Sequence, residues 1–384
     1  MVDPSGSSPR AEAVVDLAAV RHNVGVLRRA APGAAVMAVL KADGYGHGAV
    51  PVATAALEAG ASWLGVCTLE EARALRAGGI TAPLLSWLHL PDEDFTEVVA
   101  TGVDLSVSSP RHLAAVLDGA RRAERPARLH LKVDTGLSRG GAQPADWGDL
   151  LDGAAKAQAD GSAQVVAVWS HLANGDSPQH PSLDLQAARF TAAWRAARER
   201  GLTPIRHLAN SAATLTRPDL HFDLVRAGIA VYGLDPLDRQ PADSPLRPVM
   251  TLRARVALVK RVPAGEGVAY GHEWTTPCDT TLALVPLGYA DGVPRRMNRA
   301  GRMRVLLGGA LRPVVGRVSM DQVVVDCGDG AAVREGDTAV FFGPGDGGEP
   351  TAQDWADELG TIHYEVVTGV HDRRVARTYT GVAG

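Results

Sequence analysis

The chain has 384 residues, 46% hydrophobic and 21% charged, a globular composition large enough for two domains or for one barrel with an extension. A net charge of −4 gives no drive toward polyanions, so no nucleic-acid partner is expected. The three cysteines (Cys67, Cys278 and Cys327) form neither a CxxC pair nor an even disulfide set, and no apolar run is long enough to span a bilayer, so a cytoplasmic protein without membrane association is expected.

Residues 1–10 are polar, lack the apolar core of a signal peptide and read as a disordered N-terminus. A short strand is expected over Glu12–Asp16, then a helix over Leu17–Ala30 that Pro32-Gly33 breaks. Val36 to Leu40 is a short apolar run with β-branched residues, which reads as a buried strand. It ends at Lys41. Gly44, Gly46 and Gly48 follow, interleaved with Tyr45 and His47. Glycine lets a ligand come close to the backbone. A lysine at a strand end is ordinarily a surface cation with its stem along apolar groups. Between a buried strand and a glycine- and tyrosine-rich turn, burial would lower its pKa, and the free amine attacks aldehydes. The sharper reading is a lysine that carries pyridoxal phosphate through its amine, with Tyr45 near the phosphate.

From Val36 a rhythm begins. Strands are expected at 36–40, 63–66, 83–87, 104–108, 128–133, 164–170, 205–209 and 224–227, with helical stretches such as Leu69–Ala77, Arg111–Arg122 and Leu183–Arg200 between them. This alternation predicts a (β/α)₈ TIM-type barrel over 11–240. A doubly wound open sheet is the competing architecture, but no GxGxxG follows the first strand. Barrel enzymes carry catalytic groups on the C-terminal ends of their strands. Here those ends hold Lys41, Lys132 with Asp134 and Arg139 beyond it, His171, Asn210-Ser211, and Arg226 followed by Gly228-Ile229. The loops after the seventh and eighth strands suit phosphate, which brings in Ser211, Gly228 and Ile229. Ser211 reads equally as a helix N-cap.

Pro236 to Pro248 is a proline-rich linker. Beyond it, over 248–384, strands are expected at Val249–Val262, Thr281–Pro286, Met303–Leu307, Arg312–Val318, Gln322–Asp326 and Thr338–Phe342, with only Ala352–Leu359 helical, so a mostly β domain follows the barrel. By residue type alone, Tyr270 and Tyr364 read as packing residues.

In these motifs the chain resembles the alanine racemases. The resemblance rests on Val39-Leu40-Lys41-Ala42-Asp43-Gly44-Tyr45-Gly46-His47-Gly48, Leu64 to Ala72, Lys132-Val133-Asp134-Thr135-Gly136, Asn210 to Thr214, and Val225 to Ile229 with Tyr232-Gly233. It continues through Ala269-Tyr270-Gly271, Leu287 to Gly292, Gly316 to Gln322 and Tyr364-Glu365-Val366, and covers about Ala13 to Tyr379. It implies a pyridoxal-phosphate isomerase, a barrel plus a C-terminal β domain, that interconverts L- and D-alanine with two bases and supplies D-alanine for peptidoglycan. Lys41 and Tyr270 would be the bases, Tyr270 reaching in from the other subunit of a homodimer. Arg226 would face the pyridine nitrogen, as a hydrogen-bond donor that gives up no proton, with His171 beside it. Tyr45, Ser211, Gly228, Ile229 and Tyr364 would hold the phosphate, and Asn210 would also bind the cofactor. Arg139 and the Met320 backbone N–H would bind the substrate carboxylate, and Tyr289 would line the way in. Lys132 matches a position that is carbamylated in some members. D-Cycloserine is implied as an inhibitor, and no metal is implied.

Ser319, Thr368 and the Arg374–Arg377 segment depart from common family patterns, and none is a named site residue. Three other readings compete. A decarboxylase of related architecture would carry an acidic group at the position of Arg226. A non-catalytic cofactor-binding barrel would lack the β domain. A racemase of broader specificity, for example toward serine, fits the same motifs.

Overall fold

The structure is a computed structural model that describes residues 9–370 and 373–382. Residues 1–8 of the expected disordered N-terminus lie outside the described residues. Strand β1 (Ala11–Asp16) leads directly into the helix Leu17–Ala30, whose first turn is capped by the Asp16 carboxylate accepting from Ala18 N–H. Then come the barrel strands: β2 (Ala35–Val39), β3 (Trp63–Val66), β4 (Leu84–Ser86), β5 (Asp104–Val107), β6 (Ala127–Lys132), β7 (Ala163–Trp169), β8 (Ile205–His207) and β9 (Leu224–Ala227). All are parallel, in the order β8-β7-β6-β5-β4-β3-β2-β9. The seam between β8 and β9 is closed by Asp223 N–H donating to Arg206 O (3.1 Å) and Arg226 N–H donating to Ala209 O (2.9 Å). The eight expected strands therefore form a nearly closed barrel with helices between them, and not an open doubly wound sheet.

The second part is built from β10 (Met250–Arg255), β11 (Leu258–Val262), β12 (Gly267–Val268), β13 (Trp274–Thr275), β14 (Thr280–Val285), β15 (Arg304–Leu307), β16 (Ala310–Val315), β17 (Val323–Gly328), β18 (Thr338–Phe342) and β19 (Ala376–Thr380). Nine-stranded pairing runs β11-β14-β17-β16-β15-β18-β10-β1-β19. Strands β12, β13 and β19 are not among those expected, and three further features differ from expectation. Val249–Val262 is two strands, because Val256 and Ala257 pass the chain from one set of partners to another: Val256 N–H donates to Asp337 O and Ala257 N–H to Leu284 O. A second helix, His363–Thr368, follows Ala352–Leu359; one and a half turns are too short to show a helical period in sequence. Strand β1, expected at the head of the barrel segment, pairs with β10 and β19. Its alternating burial, with Ala11, Ala13 and Val15 inward, matches a sheet covered on one face. The first and last of the described strands are thus paired side by side, next to the segment after Lys41.

One apolar core runs through barrel and β sheet, from Val36 and Leu64 to Phe341 and Trp355.

Candidate active site

Strand β2 delivers Lys41 at the barrel's C-terminal rim. The chain then enters a left-handed turn: Ala42 (φ 53°, ψ 49°), Asp43 (φ 49°, ψ 54°) and Gly44 (φ 63°, ψ 44°) are followed by Tyr45 at φ 51°. Left-handed backbone costs a non-glycine residue about 1–2 kcal/mol, so the turn needs external support. Glu71 accepts from Ala42 N–H (2.6 Å) with one oxygen and from Cys67 N–H (2.7 Å) with the other. Asp43 accepts from Ala49 N–H (2.8 Å) and pairs with Arg377 of β19. The result is that Lys41 and Tyr45 line the same cleft.

That cleft has a cavity volume of about 170 Å³, room for a small ligand. It gathers Lys41, Tyr45, Lys132, Arg139, His171, Asn210, Ser211, Arg226, Gly228, Ile229 and Tyr364. These are eleven of the fourteen expected site residues, drawn from five strand ends and the helix His363–Thr368. Four cations face it, and no carboxylate is among the described residues that line it. Such a wall favours anions.

One end is a cradle. Ser211 Oγ accepts from Gly228 N–H (2.9 Å) and Ala230 N–H (3.3 Å), which fixes the loop after β9 against the loop after β8. A Cβ on Gly228 would lie 2.5 Å from the Tyr45 hydroxyl, so only glycine lets the phenol and the loop share this space. Tyr45 and Tyr364 pack at 6.2 Å between ring centroids. Burial pushes both phenols up, so they stay protonated and can donate to an anion.

The other end is cationic and dry. Arg226 is 5% exposed and donates to Ser170 O (2.8 Å) and Leu208 O (3.2 Å), with His171 Nδ1 and His207 Nδ1 each 3.2 Å away. Burial lowers its pKa to about 9, which leaves it cationic at neutral pH. Burial, then Arg226, Arg139 and the two lysines, pushes His171 well below the usual histidine range, so its ring is a neutral acceptor. Lys132 stands 4.3 Å from the Trp169 ring centroid, and burial with Arg226 and Arg139 lowers it to about 8.

Tyr270, Tyr289 and Met320 are not among the residues lining this cleft. They stand on the β sheet's loops, 72%, 39% and 52% exposed. Tyr270 sits on a tight turn between β12 and β13, stiffened by the Arg317–Glu273 ion pair. The link from Arg226 to His171 exists, but within one chain it does not run on to Tyr270.

Sequence reading passed over Trp87, Trp169 and Val39, which line the cleft, and Glu71, which holds the turn. Trp169 had a signal: it ends a strand immediately before Ser170-His171. Glu71 had one as well, as the third helical residue after Thr68 in a capping box, although its second oxygen's reach to Ala42 is visible only in three dimensions.

A lysine amine beside an anion cradle, on the C-terminal rim of a barrel joined to a β sheet, defines a two-part barrel enzyme whose cleft suits small anionic ligands. Family models for the N-terminal and C-terminal domains of alanine racemase match residues 15–236 and 249–379. The alanine racemase of Salinispora arenicola is 57% identical over 373 residues, which cover 97% of this chain and 99% of that one. The crystal structure of alanine racemase from D-cycloserine-producing Streptomyces lavendulae superposes with a TM-score of 0.93 at 51% identity, over 98% of both chains. The Clostridium difficile 630 alanine racemase in complex with cycloserine gives 0.86 at 30% identity, over 97% of this chain and 96% of that one. The chain belongs to the alanine racemase family and is an isomerase; relatives at this identity are alanine racemases, which does not favour the serine alternative.

Proposed function

We propose that this isomerase racemises alanine with Lys41 and Tyr270 as bases on opposite faces of the α-carbon, holds pyridoxal phosphate in the barrel cleft, and completes each site with Tyr270 from a second copy of the chain. The observation that carries this is the division of the site: Lys41 lines the cleft beside the cradle, while Tyr270 stands 72% exposed outside it. Inverting a carbon requires proton delivery to the face opposite the one deprotonated. An exposed, rigidly mounted phenol on the same surface as Tyr289 and Met320 suits a two-fold dimer in which each copy reaches the other's cleft.

The residues fit pyridoxal phosphate on three counts. The Ser211–Gly228–Tyr45–Tyr364 cradle suits a phosphate. The Lys41 amine suits the aldehyde. Arg226, which cannot readily give up a proton, suits the pyridine nitrogen. When bound, the cofactor supplies an electron sink that acidifies the substrate's α-proton. This chain's residues do the rest. Lys41 Nζ takes or returns the proton on one face, and the Tyr270 hydroxyl does so on the other. Arg139 at the cleft mouth orients the substrate carboxylate, with the Met320 N–H from the second copy. Arg226 donates a hydrogen bond without protonating the ring, which keeps the sink weak and suppresses transamination. Lys132, which shares the cleft with Arg139, would steer it if carbamylated. The product D-alanine would supply peptidoglycan in the cytoplasm, and cycloserine is an expected inhibitor. Among the described residues no helix is long and apolar enough to cross a membrane.

The test is L-alanine in D₂O with the cofactor-loaded protein. α-Proton exchange by NMR together with D-alanine by chiral chromatography is the expected result. Exchange with retained configuration would leave one base working alone and sink the two-base assignment.

A further inference from the structure

Behind Arg226 the barrel interior holds a row of polar side chains that do not line the cleft. Asp104 begins β5, His130 lies within β6 and His207 ends β8; they are 1%, 0% and 0% exposed. The Asp104 carboxylate is 3.1 Å from His130 Nε2. His130 Nδ1 is 2.9 Å from His207 Nε2. His207 Nδ1 is 3.2 Å from Arg226 Nη1. The row runs from the barrel's N-terminal end to its reactive rim.

The protons in this row have one consistent arrangement. A guanidinium only donates, so His207 Nδ1 accepts and its hydrogen is on Nε2. That hydrogen points at His130 Nδ1, which must accept, so His130 is also protonated on Nε2. Its N–H donates to a carboxylate that only accepts. Both ends of the chain therefore dictate the same tautomer for both rings. Burial, then Arg226 and His130, holds His207 well below the usual histidine range, in keeping with a neutral ring. Burial raises the Asp104 carboxyl, but hydrogen bonds from His130 and Arg128 outweigh it and keep the group ionised.

The charges lead to the same place. The acceptors around the Arg226 side chain are two backbone carbonyls and two imidazole nitrogens, all neutral. A buried cation without a counter-charge is costly. Asp104 supplies a negative charge at the far end of two polarisable rings, shared with the Arg128 guanidinium that donates to both its oxygens. Resting on the role given above to Arg226, we propose that Asp104 is a positioning residue for it: through His130 and His207 the carboxylate fixes the tautomer that receives the guanidinium and holds that guanidinium toward the cofactor's ring nitrogen.

Asp104→Asn tests this sharply. Arg128 Nε donates to Asp104 Oδ1 at 2.5 Å and its Nη2 to Oδ2 at the longer 3.3 Å, so the amide oxygen takes the closer donor and the NH₂ turns toward His130. His130 would then accept on Nε2 and donate from Nδ1, His207 would follow, and its Nδ1–H would meet Arg226 donor to donor. The experiment is ¹⁵N-histidine NMR of the full-length protein without substrate, for wild type and Asp104→Asn, alongside steady-state kinetics of the loaded enzyme. The expected wild-type spectrum has both rings protonated on Nε2. The expected variant spectrum has both on Nδ1, with kcat lower by about 10- to 100-fold, taking as a guide the range seen when the outer partner of a metal-bound histidine is removed, and KM nearly unchanged. Wild-type rings protonated on Nδ1 would overturn the proposal even if the variant fails to fold, and so would a folded variant with inverted tautomers and unchanged kcat. The two-base reading fails separately, through missing D-alanine in the wild-type D₂O experiment while the tautomers remain as assigned.

Discussion

The barrel half and the β half of the site are built on opposite plans. Around Lys41 everything is braced from within the chain: Glu71 holds the turn, Ser211 locks two loops, and Arg226 has four acceptors. Tyr270, Tyr289 and Met320 stand out on the surface of the same chain. The barrel half is therefore finished by folding, and under the proposed function the β half is finished by association. This predicts that damage to the two halves will look different.

The largest effect is expected for Lys41→Ala, with racemisation falling by about 10⁴-fold and covalent cofactor attachment lost, read by chiral chromatography and by absorbance. Tyr270→Phe should lower kcat by about 10³-fold while the cofactor still binds and melting is unchanged, since only an exposed hydroxyl is removed. Mixing the two inactive variants under conditions of subunit exchange is the direct break point. A mixed dimer has one site with both wild-type groups, so random exchange should restore about a quarter of wild-type activity. No recovery would mean that both groups act within one chain. Ser211→Ala should weaken pyridoxal-phosphate affinity by about 10-fold in a spectroscopic titration, because two loop N–H groups lose their shared acceptor.

The smallest effect concerns Lys132. Its folded pKa of about 8 lies below the ordinary 10.5, so its burial opposes folding below pH 8, and this penalty fades as pH rises from 8 toward 10.5. Lys132→Met should therefore melt slightly higher than wild type at pH 7, and the gain should vanish near pH 10. A wild-type intact mass heavier by one carboxylate group would show carbamylation, and the variant would then lose stability at pH 7.

Much of the barrel half was legible in the sequence because it depends on strand ends. Lys41, His171, Ser211 and Arg226 follow apolar runs whose period and spacing announce strands, and the barrel rule puts such ends on one rim. The strand at 63–66 and the helices Leu17–Ala30, Leu69–Ala77 and Ala352–Leu359 match their expected limits. The row from Asp104 to His207 was not legible. Its members come from three strands, and which of their residues meet depends on the stagger of the closed barrel. The helix His363–Thr368 was hidden by its length, and the pairing of β1 with β19 by a separation of more than three hundred residues that local patterns do not register.

The left-handed turn after Lys41 ties the site to a strand far along the sequence. Its braces arrive from elsewhere: Glu71 from the helix after β3, and Arg377 from the last strand, 334 residues beyond its partner Asp43. During synthesis Asp43 leaves the ribosome 334 residues before Arg377. The turn's braces are thus complete only once β19 has paired beside β1, and a chain truncated before β19 would keep the Glu71 brace but lose the Arg377 one.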